Sequence, residues 1–330
     1  MKTDNPPLDL LAFGEILIDF VGTQTGYALA QSEQFQRCAG GAPANVAVGV
    51  RRLGRASGII AKVGMDPFGD YLVQTLEQEG VHTTGMARSS HARTTLAFVS
   101  VESDGERDFT FFRHPGADTQ WNPEQMPENL LQQTKVFHFG SLSLTEATCR
   151  EATLHAARVT RKQGILNSMD PNLRLSLWER PEAAIEAVWE LLPLVNFLKI
   201  SEEELETLTG LNHESAALDK LRKAGPEIVI LTRGGDPCRL ESPFASRDIP
   251  GFAVKASDTT GAGDSFVAGW WSSAFSIVRE PRRLIKDTDT LVSACRYAHA
   301  TAALTVQKRG AIPALPTKSE VDDFLAHHSE

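Results

Sequence analysis

A chain of 330 residues with 42% hydrophobic and 23% charged side chains has the bulk for one large soluble domain, with room for a small appendage. Its net charge of −9 excludes the basic face that nucleic-acid binding needs. No apolar run approaches the ~18 residues of a membrane helix, so neither nucleic acid nor membrane is an expected partner. The start, MKTDNPPLDLLAF, has Asp4 and two prolines where a signal peptide has a basic and then an apolar region, which predicts a cytoplasmic protein. Cys38, Cys149, Cys238 and Cys295 are scattered without a CxxC pair, as reduced thiols are. Among the nine histidines there is no HExxH.

In chain order, short apolar runs alternate with longer helix-like stretches, the pattern of βαβ units around a parallel sheet. The first strand is predicted at Leu8–Phe13, and a further strand around Arg37 precedes Gly40-Gly41. A helix at Ala44–Leu53, with Pro43 in its first turn, leads to a strand at Gly58–Val63 and a helix at Tyr71–Glu79. From Thr94 to Val101 apolar and small polar residues alternate, Asp104-Gly105 supplies a hairpin turn, and Asp108–Phe112 resumes the strand. Strands at Val136–Phe139, Ile165–Asn167, Phe197–Ile200 and Ile228–Leu231 then alternate with helices at Ala147–Arg161, Ala183–Leu192 and Glu203–Leu208. Helices at Asp264–Phe275 and Asp289–Val306 close the chain. The hairpin predicts a separate small sheet, a discontinuous flap of residues 20–39 and 92–121 over an α/β body.

Polar residues follow each core strand: Glu15 and Asp19, then Asp170, Asn172 and Arg174, then Ser201 and Glu204, then Thr232 and Gly234. Open parallel sheets bind ligands at the carboxyl ends of their strands, so these groups are expected along one edge. The stretch DTTGAGDSF, Asp258 to Phe266, fails the dinucleotide fingerprint GxGxxG, and the chain has no P-loop. A nicotinamide oxidoreductase is thereby disfavoured. What remains is a glycine-lined helix start, where free N–H groups and the helix dipole favour an anion. Beside a phosphate, Asp264 would serve as the base taking a proton from an attacking hydroxyl. It reads equally as a helix N-terminal cap. In CAGGAPANVAVGV, Gly40 and Gly41 let backbone meet a ligand and Asn45 offers a donor and an acceptor, though a plain turn into a packed helix fits as well. DPNLRLSLW places Arg174 for an anionic contact or for bracing a loop. In SEEELETLTG, Glu204 reads as a solvated helix face or as an acid ordering magnesium-bound water. His299, on a long apolar helix, reads as a buried histidine.

With these residues in hand, the chain resembles the ribokinase, or PfkB, family of carbohydrate kinases, and within it the bacterial fructokinases. GGAPANVAVGVRRLG and DTTGAGDSFVAG carry the resemblance, and FGEILIDF, KVGMDPFGDYL, RTTLAFVSVESDGERDF, DPNLRLSLW and KISEEELETLTG extend it over roughly Leu10 to Leu325. It implies a ribokinase-like α/β fold, a mostly parallel sheet sandwiched by helices with a small β-sheet lid. The body would comprise residues 1–19, 40–91 and 122–330, and the lid residues 20–39 and 92–121. The resemblance further implies transfer of phosphate from MgATP to a sugar primary hydroxyl, with D-fructose the expected acceptor. Asp264 matches the base, and Gly261, Ala262 and Gly263 the anion hole. Asp19, Gly40, Gly41, Asn45, Phe98 and Arg174 match the sugar site. Ser201, Thr232, Gly234 and His299 match nucleotide positions, Ser201 standing where the family's NxxE motif has asparagine and Glu204 matching its magnesium-associated acid. A potassium site would involve Asp258, Thr260 and backbone around Thr305, Lys308, Gly310 and Ala314. Pro237 stands in the nucleotide loop TRGGDPC where a glycine is usual.

Two kinases of the same family are the alternatives. RHPGADTQ and GSLSLTE resemble aminoimidazole riboside kinases, and DPNLRLSLW resembles 2-keto-3-deoxygluconate kinases. A non-catalytic sugar-binding regulator is a further reading, opposed by the intact Asp264 and its glycines. A small one-sided sheet leaves an apolar face and open edges, which predicts a homodimer through the lid.

Overall fold

The computed structural model describes residues 8–101, 107–277, 281–284 and 286–328. The predicted turn at Asp104-Gly105 and the first residues with Asp4 lie outside the described residues. Among the described residues thirteen strands form two sheets. They are β1 (Leu8–Phe13), β2 (Leu17–Thr25), β3 (Phe35–Gly40), β4 (Ser57–Gly64), β5 (His82–Ser89), β6 (Leu96–Val101), β7 (Arg107–Phe112), β8 (Thr134–Phe139), β9 (Leu166–Met169), β10 (Phe197–Ser201), β11 (Ile228–Arg233), β12 (Asp236–Glu241) and β13 (Ser246–Ile249). The large sheet runs β13-β12-β11-β10-β9-β8-β1-β4-β5. It is parallel from β11 to β5, and β12 and β13 add an antiparallel edge.

Alternation along each strand sorts side chains onto two helical layers. Leu10 and Ala12 face one layer with Ile59, Val136 and Phe197, covered by the helices Ala42–Arg52, Ala262–Ile277 and Thr288–Val306. Leu11 and Phe13 face the other with Ile60, Phe137 and Leu198, covered by the helices Ala147–Lys162, Pro181–Leu191 and Glu214–Ala224. Phe197 anchors the first layer, with its ring 4.4 Å from Trp270 and 5.2 Å from Trp271. These contacts fix the helix Ala262–Ile277 against the start of β10, and Trp271 Nε1 donates to Ser168 Oγ of β9 at 3.0 Å.

The small sheet has the order β3-β2-β6-β7, antiparallel except for the β2–β6 pair. A buried ion pair ties it to the body. Arg113, just after β7, donates through Nε and Nη2 to Asp118 Oδ2 at 2.8 and 2.7 Å, and through Nη2 to the Leu142 carbonyl. Thr95, just before β6, donates to the other oxygen of Asp118 at 2.5 Å. One carboxylate therefore fastens the chain where it leaves the body and where it returns. Arg113→Met should strand Asp118 as an unpaired buried charge and cost about 3–5 kcal/mol of stability, read as a lowered denaturant midpoint.

Candidate active site

The helix Ala262–Ile277 begins after Gly261, whose φ of +75° is open to glycine without strain. Ala262 donates its N–H to the Thr259 carbonyl at 3.2 Å. Of the three expected anion-hole amides it is thus already engaged. The N–H groups of Gly263 and Asp264 fall in the first turn, which helix geometry leaves without intrahelical acceptors. Both residues line a cleft of about 290 Å³.

Asp264 sits at the cleft wall, 6% exposed. Burial pushes its pKa up to about 6, opposed by a hydrogen bond from Asn45, whose Nδ2 donates to Asp264 Oδ2 at 2.8 Å. Beneath the same turn lies Lys199, a residue the motif reading did not single out. It follows Phe197 on the same face of β10, two residues nearer the strand's end. A Cβ built on Gly263 would lie 2.8 Å from its Nζ, so the glycine opens the turn to the ammonium. Lys199 pairs with Asp170 Oδ2 at 3.0 Å, both being buried. Burial works against the charge, yet the Asp170 and Glu204 carboxylates raise its pKa above the ordinary lysine value. A cation, two first-turn N–H groups and a carboxylate thus meet at one cleft, the inventory that phosphoryl transfer requires.

The opposite wall comes from the junction of the large and small sheets. Asp19 on β2 lines the cleft, and its Oδ2 would lie 2.0 Å from a Cβ on Gly40, which is why that position is bare. Gly41 has φ +107° and lines the cleft beside Asp19. The helix Ala42–Arg52 has no side-chain cap of its own; Glu15 supplies one, accepting the Ala42 N–H at 2.9 Å. Burial pushes Glu15 up to about 7. Arg174 lines the cleft with Asp170 and Asn172, its guanidinium 5.7 Å from the Phe109 ring.

Phe98 is a correction. β6 pairs Phe98 with Phe20 of β2 and Thr110 of β7, whereas Ala97 pairs with Asp19 and Phe111. Side chains alternate across a strand, so Phe98 lies on the face opposite Asp19. There it stacks on Phe20 at 5.1 Å and meets Phe35 and Phe112 edge-on. Within this chain the rings of the small sheet that line the cleft are Phe109 and Phe111 of β7.

The expected nucleotide residues lie beyond the cleft lining, along the same sheet edge. Ser201 pairs with Thr232 where β10 and β11 end. Gly234, at φ +57°, and Gly235 have open space where a Cβ would stand. His299 is buried, its Nε2 accepting the Cys238 N–H at 3.4 Å and its Nδ1 facing Gly251. Pro237 lies on β12, where its carbonyl accepts a hydrogen bond from Arg233.

Glu204 spends one oxygen on the Ser201 N–H at 2.9 Å and the other on the Leu173 N–H at 2.8 Å. Burial raises its pKa, and the Asp170 charge adds to that. Among the described residues no three His, Cys, Asp or Glu side chains gather into a metal cage. Asp170 Oδ1 is nevertheless buried without a hydrogen-bond partner, and an acid so placed suits a hydrated magnesium brought in on phosphates. Of the expected potassium residues, Asp258 accepts from Thr260 N and Oγ1 through Oδ1, and from Gly310 N through Oδ2. Thr305 Oγ1 is bonded to Ser265, and the Thr305 carbonyl accepts from Lys308 N. The Lys308 side chain turns outward to Glu320, and Ala314 N bonds Ala311.

The model of the pfkB family carbohydrate kinases matches residues 8–318. The chain is 43% identical over 320 residues to the Arabidopsis thaliana protein named "Probable fructokinase-7", covering 96% of this chain and 92% of that one. It superposes on the fructokinase with bound ATP from Xylella fastidiosa with a TM-score of 0.89 at 35% identity, over 97% of this chain and 99% of that one. A Vibrio cholerae fructokinase double mutant, bound to fructose, ADP and potassium ion, is similar with a TM-score of 0.86 at 30% identity, over 97% and 99%. No helix among the described residues is long and apolar enough to cross a membrane.

Proposed function

The chain belongs to the pfkB family of carbohydrate kinases, and from that premise we propose that it transfers the γ-phosphoryl of MgATP to the primary hydroxyl of D-fructose, yielding fructose 6-phosphate. One observation carries the reading: the Asp264 carboxylate lines a small polar cleft between Asp19 on one side and Gly263 with Lys199 on the other. The sugar hydroxyl loses its proton to Asp264 as its oxygen bonds the γ-phosphorus, and the bond to the β-phosphate oxygen breaks to release ADP. Asp19, the Gly40-Gly41 backbone and Arg174 would hold the sugar. The N–H groups of Gly263 and Asp264 and the Lys199 ammonium would face the charge on the transferred oxygens. Glu204 and Asp170 would hold the water shell of magnesium, which when bound neutralises the β- and γ-phosphate oxygens. Nucleotide would lie along Ser201, Thr232 and Gly234, with His299 bracing the hairpin behind them. Asp258, Thr260 and Gly310, with the Thr305 carbonyl close in sequence, would hold a potassium ion.

Residues 20–39 and 92–121 would act as the lid, closing Phe109 and Phe111 over the sugar to exclude water, which would compete as the nucleophile. The outer lid face carries Phe20, Phe35, Phe98 and Phe112, the last 61% exposed, and supports a homodimer built there. The four cysteines are free thiols, in keeping with a cytoplasmic enzyme.

A substrate panel coupled to ADP formation tests the assignment. D-Fructose is expected to give the highest kcat/KM, above aminoimidazole riboside, ribose and 2-keto-3-deoxygluconate. A preference for aminoimidazole riboside or ketodeoxygluconate would move the enzyme to the corresponding kinase, with the same residues at work.

A further inference from the structure

Asn45 lies in the first turn of the helix Ala42–Arg52 and Asp264 in the first turn of the helix Ala262–Ile277, 219 residues apart in sequence. The two helices cross where a Cβ built on Gly49 would come 2.7 Å from the Ala268 Cβ. Gly49 is four residues after Asn45, and Ala268 four after Asp264, so each pair shares a helix face one turn apart. The bare glycine lets the helices approach, and that approach sets the 2.8 Å bond from Asn45 Nδ2 to Asp264 Oδ2. Asn45 is 4% exposed, and its Oδ1 is buried without a protein partner among the described residues.

We infer that Asn45 is a positioning residue for Asp264: its amide pins one carboxylate oxygen, leaving the other to accept the proton of the substrate hydroxyl. This rests on the kinase reading and goes beyond a sugar contact. An amide N–H donates more strongly to a carboxylate than to a protonated acid, so the bond favours the ionised, proton-accepting state. The charged groups that bear most on Asp264 are Asp170 and Arg174 from the loop after β9 and Lys199 from β10, and Asp19 from β2 and Glu15 line the same cleft. Asp170 disfavours the ionised state, while Lys199 and Arg174 favour it. Asn45 is the uncharged member of this set and the one in hydrogen-bond contact.

The test is the pH dependence of kcat for Asn45→Ala and Asn45→Asp at saturating sugar and MgATP, alongside a 13C-carboxyl NMR titration in which Asp264→Asn identifies the Asp264 resonance. The free wild-type enzyme is expected to titrate near pH 6 in the NMR experiment, burial having raised Asp264 to that range, and the acid limb of kcat reports the same carboxyl in the complex. In Asn45→Ala the limb should move up by about one pH unit, so that kcat at pH 7 falls about twofold through the shift and recovers at higher pH. Asn45→Asp should move it further, since a like charge then faces Asp264. A raised sugar KM with the limb of kcat and the Asp264 titration both unmoved would overturn the proposal. The titration reads the Asn45–Asp264 interaction without turnover, so an enzyme inactive on every sugar tried would defeat the kinase reading and leave this inference separately decided. Thermal melting confirms that each variant is folded before its titration is compared.

Discussion

Asp264→Asn is expected to lower kcat by about 10²–10⁴-fold, the range over which a positioned general base contributes, while sugar binding measured by calorimetry changes little. Asparagine keeps the shape and can still meet the Asn45 amide, but it cannot take the hydroxyl proton. The buried setting strengthens the expectation. Desolvation already holds the wild-type carboxyl near 6, so the group is ionised at neutral pH and close to its proton-accepting threshold. A cap explanation predicts otherwise, because asparagine caps a helix about as well as aspartate does, and turnover would then stay near the wild-type value. Release of ADP at the wild-type rate in the variant would remove Asp264 from the reaction.

The sequence disclosed the body of the fold wherever burial imposed a plain pattern. β1, β4, β8, β10 and β11 stand where apolar runs predicted strands, because both faces of each are covered. β5 reads His-Thr-Thr-Gly-Met-Ala-Arg-Ser, and β12 and β13 carry Asp236, Arg239, Glu241, Arg247 and Asp248. These strands close the two edges of the large sheet, where one side is exposed and the apolar signal fades. Phe98 shows a different limit. Its strand was found, but which face of the strand meets the substrate depends on pairing with β2, and one position of register reverses the answer. Asp264 and its glycines were legible because a helix start writes its chemistry in consecutive residues. The Asn45–Asp264 bond and the Lys199–Asp170 pair were not, since each joins segments distant in sequence. A lysine within FLKIS reads locally as a strand-end charge. Only its position on the Phe197 face, under the helix that Trp270 and Trp271 anchor, turns it toward the cleft.

Lys199→Met should therefore abolish most activity, with kcat falling about 10²–10³-fold as when one electrostatic donor is removed from a transition state. The ammonium has three donors, and Asp170 takes one at 3.0 Å; the cleft it lines offers the remainder to a bound anion. Its loss also leaves Asp170 and Glu204 buried without their counter-cation, at a stability cost of about 3–5 kcal/mol. The double variant Lys199→Met/Asp170→Asn separates the two effects. Removing the orphaned charge should restore much of the denaturant midpoint, because a neutral pair replaces a broken ionic one. Activity should stay low, because nothing then faces the phosphoryl oxygens with positive charge from below. The acid limb of kcat should also move upward in the single variant, since the lysine is one of the charges favouring ionised Asp264. If the double variant regains turnover together with stability, Lys199 serves only to neutralise Asp170, and the first-turn N–H groups carry the anion without it.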